Sequence, residues 1–100
     1  MQGKLMTYSF SLEKNKQLKL ERNISFEEII AALENDKLLD VVEHHNKSRY
    51  SNQQMYVVEI NDYIYLVPFI KDSNGNIFLK TIFPSRKANR RYRKEGNKND

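Results

Sequence analysis

The chain contains no cysteine. Disulfides, thiolate zinc sites and cysteine nucleophiles are therefore excluded, as suits a reducing compartment. Tryptophan is also absent, and there are only two prolines and three glycines. So few glycines leave no phosphate-cradling loop, and no cofactor is expected. No apolar run is long enough for a transmembrane helix. The opening MQGKLMTYSF is too polar for a secretory h-region. A cytoplasmic chain without a membrane partner is the expectation.

What is present is enough for one modest core. Of 100 residues, 39% are hydrophobic and 11% aromatic. A chain of this length buries roughly 60–70% of its unfolded surface. One domain over residues 7–94 is expected, with residues 1–6 and 95–100 as flexible termini. The positive charge is concentrated at one end. Residues 1–85 carry ten Lys/Arg against eleven Asp/Glu, whereas residues 86–100 carry seven against two. Such a patch favours a polyanion through counterion release. A solvated helix end that aids solubility is the plain alternative.

In chain order, Tyr8–Leu12 alternates in the period of a short half-buried strand. Glu13–Arg22 is rich in good helix formers, with Leu18 and then Leu20 as inward candidates and Asn23 as C-terminal cap. Ser25 and Glu28 have the spacing of a capping box. Behind them Phe26, Ile29, Ile30 and Leu33 form one apolar stripe. Leu38–His45 reads as an edge strand, because Asp40 and Glu43 fall on opposite faces. Met55–Ile60 and Tyr63–Ile70 read as a hairpin around the Asn61-Asp62 turn. Pro68 marks a bulge or a local edge. After a second turn, Lys71–Asn76, the strand Ile77–Phe83 returns, and Ala88–Lys94 forms a last helical turn or two.

The expected fold is α+β, with two N-terminal helices packed on a mainly antiparallel sheet and a short basic C-terminal helix. The sheet's other face carries too many aromatics to stay fully solvated. It is either partly covered by the tail or a binding surface.

The stretch Ile77–Lys94 joins an apolar strand to a cationic segment through Pro84. Arg86, Lys87, Arg90, Arg91, Arg93 and Lys94 surround Tyr92. Guanidinium groups grip phosphate in a bidentate fork, and tyrosine stacks on bases. Ser85 is placed to cap the helix. Lys80, with Phe78 and Ile82 on its face, is either a snorkelling edge guard or a cation aimed at phosphate. His44 and His45 have the ordinary pKa for general acid–base work. With Lys47, Arg49 and Tyr50 they otherwise form a polar surface loop. Glu43 and Glu59 are candidate bases or plain strand residues. Adjacent histidines without paired carboxylates are a weak ligand set, so no metal is expected.

Three stretches together resemble a known family: Leu12-Glu13-Lys14-Asn15-Lys16, then Asn23-Ile24-Ser25-Phe26-Glu27-Glu28-Ile29, then Ser85-Arg86-Lys87-Ala88 with Arg90–Arg93 behind it. They are similar to the BrnT toxins of bacterial toxin–antitoxin systems, in the wider RelE/ParE superfamily. The likeness runs from Tyr8 to Lys94 and is weakest over His44–Gln54. Asn23 stands where the family usually has glycine. The resemblance implies a RelE-like scaffold, RNA cleavage that arrests growth, and a neutralising antitoxin encoded beside it. Of the site residues, Arg86 and Lys87 carry over from the matched motif. Read from the residues themselves, His44 or His45 is the expected base or acid, with Lys80, Arg86 and Arg49 stabilising phosphate charge. Tyr92 becomes a second proton donor or stacking platform. Tyr50, Lys87, Arg90, Arg91 and Arg93 complete the RNA-binding set. Some ParE-type relatives poison a protein target such as gyrase, and a nucleic-acid-binding module without toxicity is a third reading.

Overall fold

The structure is a computed structural model that describes residues 7–43 and 53–96, with side chains to Tyr92. Three helices and six strands follow in the order β1 (Tyr8–Phe10), α1 (Leu12–Arg22), α2 (Phe26–Glu34), β2 (Leu38–Glu43), β3 (Gln54–Ile60), β4 (Tyr63–Lys71), β5 (Ile77–Leu79), β6 (Phe83–Pro84) and α3 (Arg86–Gly96). The sheet order is β1-β5-β4-β3-β2, with β6 beside β4. Among the described residues, β1 and β5 run parallel and the other pairs are antiparallel. The architecture is α+β, as the alternation of patterns predicts.

Local chemistry sets the element ends. Ser11 caps α1 by accepting the Lys14 N–H. Asn23 closes it at φ 56°, ψ 39°, a left-handed geometry that asparagine tolerates. The Ser25–Glu28 capping box forms in both directions. Asn61 and Asp62 both take positive φ, 53° and 65°, the signature of a type I′ turn that matches strand twist. It holds Ile60 opposite Tyr63. In the next turn the Asp72 carboxylate accepts the N–H groups of Asn74 and Asn76. Those bonds hold its pKa below the usual carboxylate value.

The two helices cover one face of the sheet. Leu18, Ile24, Phe26, Ile29 and Ala32 pack on Tyr56, Val58, Val67, Phe69, Ile77, Leu79 and Ile82. Tyr56 stacks on Phe69, with ring centroids 4.0 Å apart, and Phe10 on Phe26 at 4.9 Å. Leu20 departs from expectation, since it is 81% exposed. The inward position on α1 belongs instead to Asn15, 4% exposed. Its side-chain oxygen accepts the Phe26 N–H at 2.7 Å, and its amide donates to Glu27 Oε1 at 2.8 Å. One buried amide thus satisfies a free donor at the start of α2 and locks the two helices together.

The second face is covered by the tail, one of the two expected outcomes, but its apolar residues are not the expected aromatics. The β4 aromatics Tyr65 and Phe69 pack with the α1/α2 core. The opposite face carries Met55, Val57 and Leu66, and α3 packs over it. Helix α3 is also longer than expected, eleven residues instead of a turn or two.

The last strand is divided too. Expected as one run from Ile77 to Phe83, it breaks into β5 and β6. The cause is Pro68. The Lys80 N–H donates to the Pro68 carbonyl at 2.8 Å, but proline has no N–H to return the bond. The ladder lapses at Lys80, and the chain rejoins β4 where Phe83 pairs with Leu66. Strand alternation fails across the gap: Phe78 is 40% exposed, whereas Ile82 is fully buried. The Arg22 guanidinium donates to the Ile82 carbonyl, tying α1 to the gap.

Two stability effects are expected. Asn15→Ala leaves the Phe26 N–H without its buried acceptor and costs about 1–3 kcal/mol in denaturant unfolding. Leu20→Ala, on the exposed side of the same helix, stays within about 0.5 kcal/mol. Burial, the neighbouring Tyr8 and a hydrogen bond to it push the Tyr56 hydroxyl up to about 12. The folded state therefore holds this proton more tightly than the unfolded chain, whose tyrosine titrates near 10. The stability it contributes is complete below pH 10 and is lost as pH rises toward 12. Unfolding free energy followed across that range falls more steeply for the parent chain than for Tyr56→Phe.

Candidate nucleic-acid interface

Helix α3 positions the candidate site. Ser85 caps it: its hydroxyl accepts the Ala88 N–H at 3.1 Å, and its carbonyl accepts the Asn89 N–H at 2.8 Å. The Ser85 N–H in turn donates to the Ile64 carbonyl at 3.1 Å. The start of the helix is therefore fastened directly to β4. Ala88, Asn89 and Tyr92 are half-buried. Arg86, Lys87, Arg90 and Arg91 are exposed. Helical spacing thus separates a sheet-facing stripe from a cationic one.

Tyr92 fixes the far end of this arrangement. Its hydroxyl donates to Asp40 Oδ2 on β2 at 2.8 Å. Asp40 can reach it because β2 is bulged: Leu38 opposes Val58 and Asp40 opposes Val57, with one extra residue between them. The bulge changes which side chains face which way. It points Asp40 toward α3. The Arg91 guanidinium carbon lies 5.8 Å from the Tyr92 ring centroid, within cation–π range. Tyr92 is thus an anchor for α3, a role its sequence neighbours did not reveal.

Between α3 and the β2–β3 edge runs a groove of about 290 Å³. Val42, Met55, Val57 and Leu66 line it, with Lys87 and Arg91 on the helix side and Glu43 also at its wall. Glu59 belongs to the same sheet face near the other end of α3. It opposes Ile64, the residue whose carbonyl holds Ser85.

Lys80 is exposed at the end of β5. It lies against Pro68, while Pro84 lies against Tyr65. Those β4 positions are three residues apart, roughly 10 Å along a strand. Lys80 and Pro84 therefore flank the ladder gap along β4, and Arg86 follows Pro84 by two residues. His44, His45, Arg49 and Tyr50 lie outside the described residues, as does the side chain of Arg93. Among the described residues, no group of three or more His, Cys, Asp or Glu side chains is placed to hold a metal ion, and no helix is long and apolar enough to cross a membrane.

The described geometry can bind an extended anion along α3. Arg86, Lys87, Arg90 and Arg91 are exposed along this helix, and Lys80 is exposed just past β5. The signals missed in sequence were Asp40 and the groove, since both arise from pairing residues about fifty positions apart.

Tyr92→Phe removes the hydroxyl and keeps the ring. The bond is exposed, so a loss of about 0.5–1 kcal/mol is expected. A double-mutant cycle with Asp40→Asn should return a coupling energy of that size; additive effects would show that the bond does not anchor the helix.

No protein-family model matches this chain, and no curated protein matches it.

Proposed function

We propose that this chain is the toxin of a toxin–antitoxin pair, a metal-independent endoribonuclease acting in the cytoplasm on a RelE-like scaffold. The observation that carries the reading is the placement of α3. Its apolar side is committed to the sheet, while Arg86, Lys87, Arg90 and Arg91 stay exposed. A solubility tail needs no such docking. A phosphate-binding surface does, because cations stabilise a transition state best when their positions are fixed beforehand.

Cleavage without a metal uses the RNA's own 2′-oxygen. That oxygen loses its proton to a base and attacks the adjacent phosphorus. The 5′-oxygen leaves with a proton from an acid, giving a 2′,3′-cyclic phosphate and a free 5′-hydroxyl. Negative charge grows on the phosphoryl oxygens in between. Arg86, at the first turn of α3, and Lys80, across the ladder gap, are the proposed stabilisers. His44 or His45 is the proposed base or acid. Arg90 and Arg91 hold the strand on either side, and Lys87, Arg49, Tyr50 and Arg93 extend that surface. An antitoxin segment rich in Asp and Glu would compete for the same cations.

Induction of the chain alone should arrest growth, with protein synthesis failing before any DNA-damage response. A DNA-damage response that comes first would indicate a gyrase-like target instead, and unaffected growth removes both toxin readings. In vitro, the purified chain should cleave unpaired RNA in excess EDTA and leave 5′-hydroxyl ends. Arg86→Ala should slow cleavage about 100-fold or more, with circular dichroism unchanged. Lys16→Ala, exposed on α1, should have no effect on rate.

A further inference from the structure

We infer that the groove between α3 and the β2–β3 edge seats one unpaired nucleobase of the bound strand, with the attached phosphate held by Lys87 and Arg91. The inference rests on the proposal that RNA is the ligand, and it adds a base-binding subsite to it.

Size is the first argument. The groove holds about 290 Å³, at the low end of the roughly 300–1,000 Å³ usual for small-molecule sites. There is room for one nucleobase ring system. Lining chemistry is the second. Val42, Met55, Val57 and Leu66 offer apolar surface to the faces of a planar ring. Met55 brings a polarisable sulfur, which favours aromatic neighbours. The third argument is charge. Lys87 and Arg91 stand one helical turn apart on the same wall and are both exposed. Residues at that spacing share a helix face. Glu43 also lines the groove, so the region near its carboxylate disfavours a second anion. A phosphate is thereby directed to the α3 side and an uncharged base to the apolar side.

The Tyr92–Asp40 bond gives this seat its shape. It joins α3 to β2 across the sheet and so fixes the distance between the two walls. A loose helix would leave a cationic surface without a defined slot.

The test compares two ligands on the intact chain. One is a short unstructured oligoribonucleotide, kept from cleavage by 2′-O-methyl groups. The other is the same backbone with abasic sugars. Fluorescence anisotropy at fixed salt should show the base-bearing strand binding about tenfold tighter, the scale expected for one seated base. Val42→Trp fills the slot and should erase that difference. Equal binding of both strands by the parent chain overturns the inference, without recourse to any variant. A glutamate-rich peptide that Val42→Trp displaces, with RNA binding unaltered, also overturns it and assigns the slot to acidic protein. The two proposals fail separately. Base-dependent binding without cleavage removes the ribonuclease and keeps the seat. Cleavage with equal binding of the two strands removes the seat and keeps the ribonuclease.

Discussion

The structure depends on one constraint: the β3–β4 hairpin is apolar on both faces. Met55, Tyr56, Val57 and Val58 are buried in succession on β3, which is possible only if each side of the strand is covered. On β4, Ile64, Val67, Pro68 and Phe69 are likewise buried. A two-stranded ribbon cannot shield both faces itself. Helices α1 and α2 cover one, and α3 must cover the other. The most cationic part of the chain is therefore held to the sheet by the same hydrophobic burial that stabilises the core. Its fixed geometry follows from that obligation, since a charged tail free of it would have none.

Features set by near neighbours were legible in the sequence. The Ser25–Glu28 box, the Asn23 cap, the Asn61-Asp62 turn and the Ser85 cap each depend on residues within three or four positions. Their side chains satisfy backbone groups that have no other partner. The edge position of β2 was legible for a similar reason, because charges on both sides of a strand disfavour a central place in a sheet. What escaped depended on distance along the chain. Leu20 is apolar but faces solvent, because the α1 seam is only one residue wide and Asn15 occupies its inner turn. The break after Leu79 was invisible within its own strand. Its cause is a missing N–H at Pro68, twelve residues earlier. In the candidate site, the charges and Tyr92 were legible, whereas Asp40 and the groove were not. Both required the β2 bulge and the docking of α3.

A few polar bonds fix what burial alone leaves loose. Hydrophobic packing is non-directional, so it would permit α3 to slide or α2 to rotate. The Asn15 amide sets the angle at which α2 leaves α1. Ser85 sets where α3 begins, and Tyr92 sets where it points. Each bond stabilises the fold by only about a kilocalorie per mole. Their larger effect is on uniqueness: they select one arrangement from several of similar burial.

The division of labour around α3 has an evolutionary consequence. Ala88 and Tyr92 answer to the sheet, and substitutions there disturb the fold. Arg86, Lys87, Arg90 and Arg91 answer mainly to whatever the helix meets, since exposed positions carry little weight in folding. Ligand preference on this helix can therefore drift one side chain at a time, while the scaffold beneath it stays folded at every step. A small protein with a thin stability margin can in this way change what it recognises without passing through an unfolded ancestor.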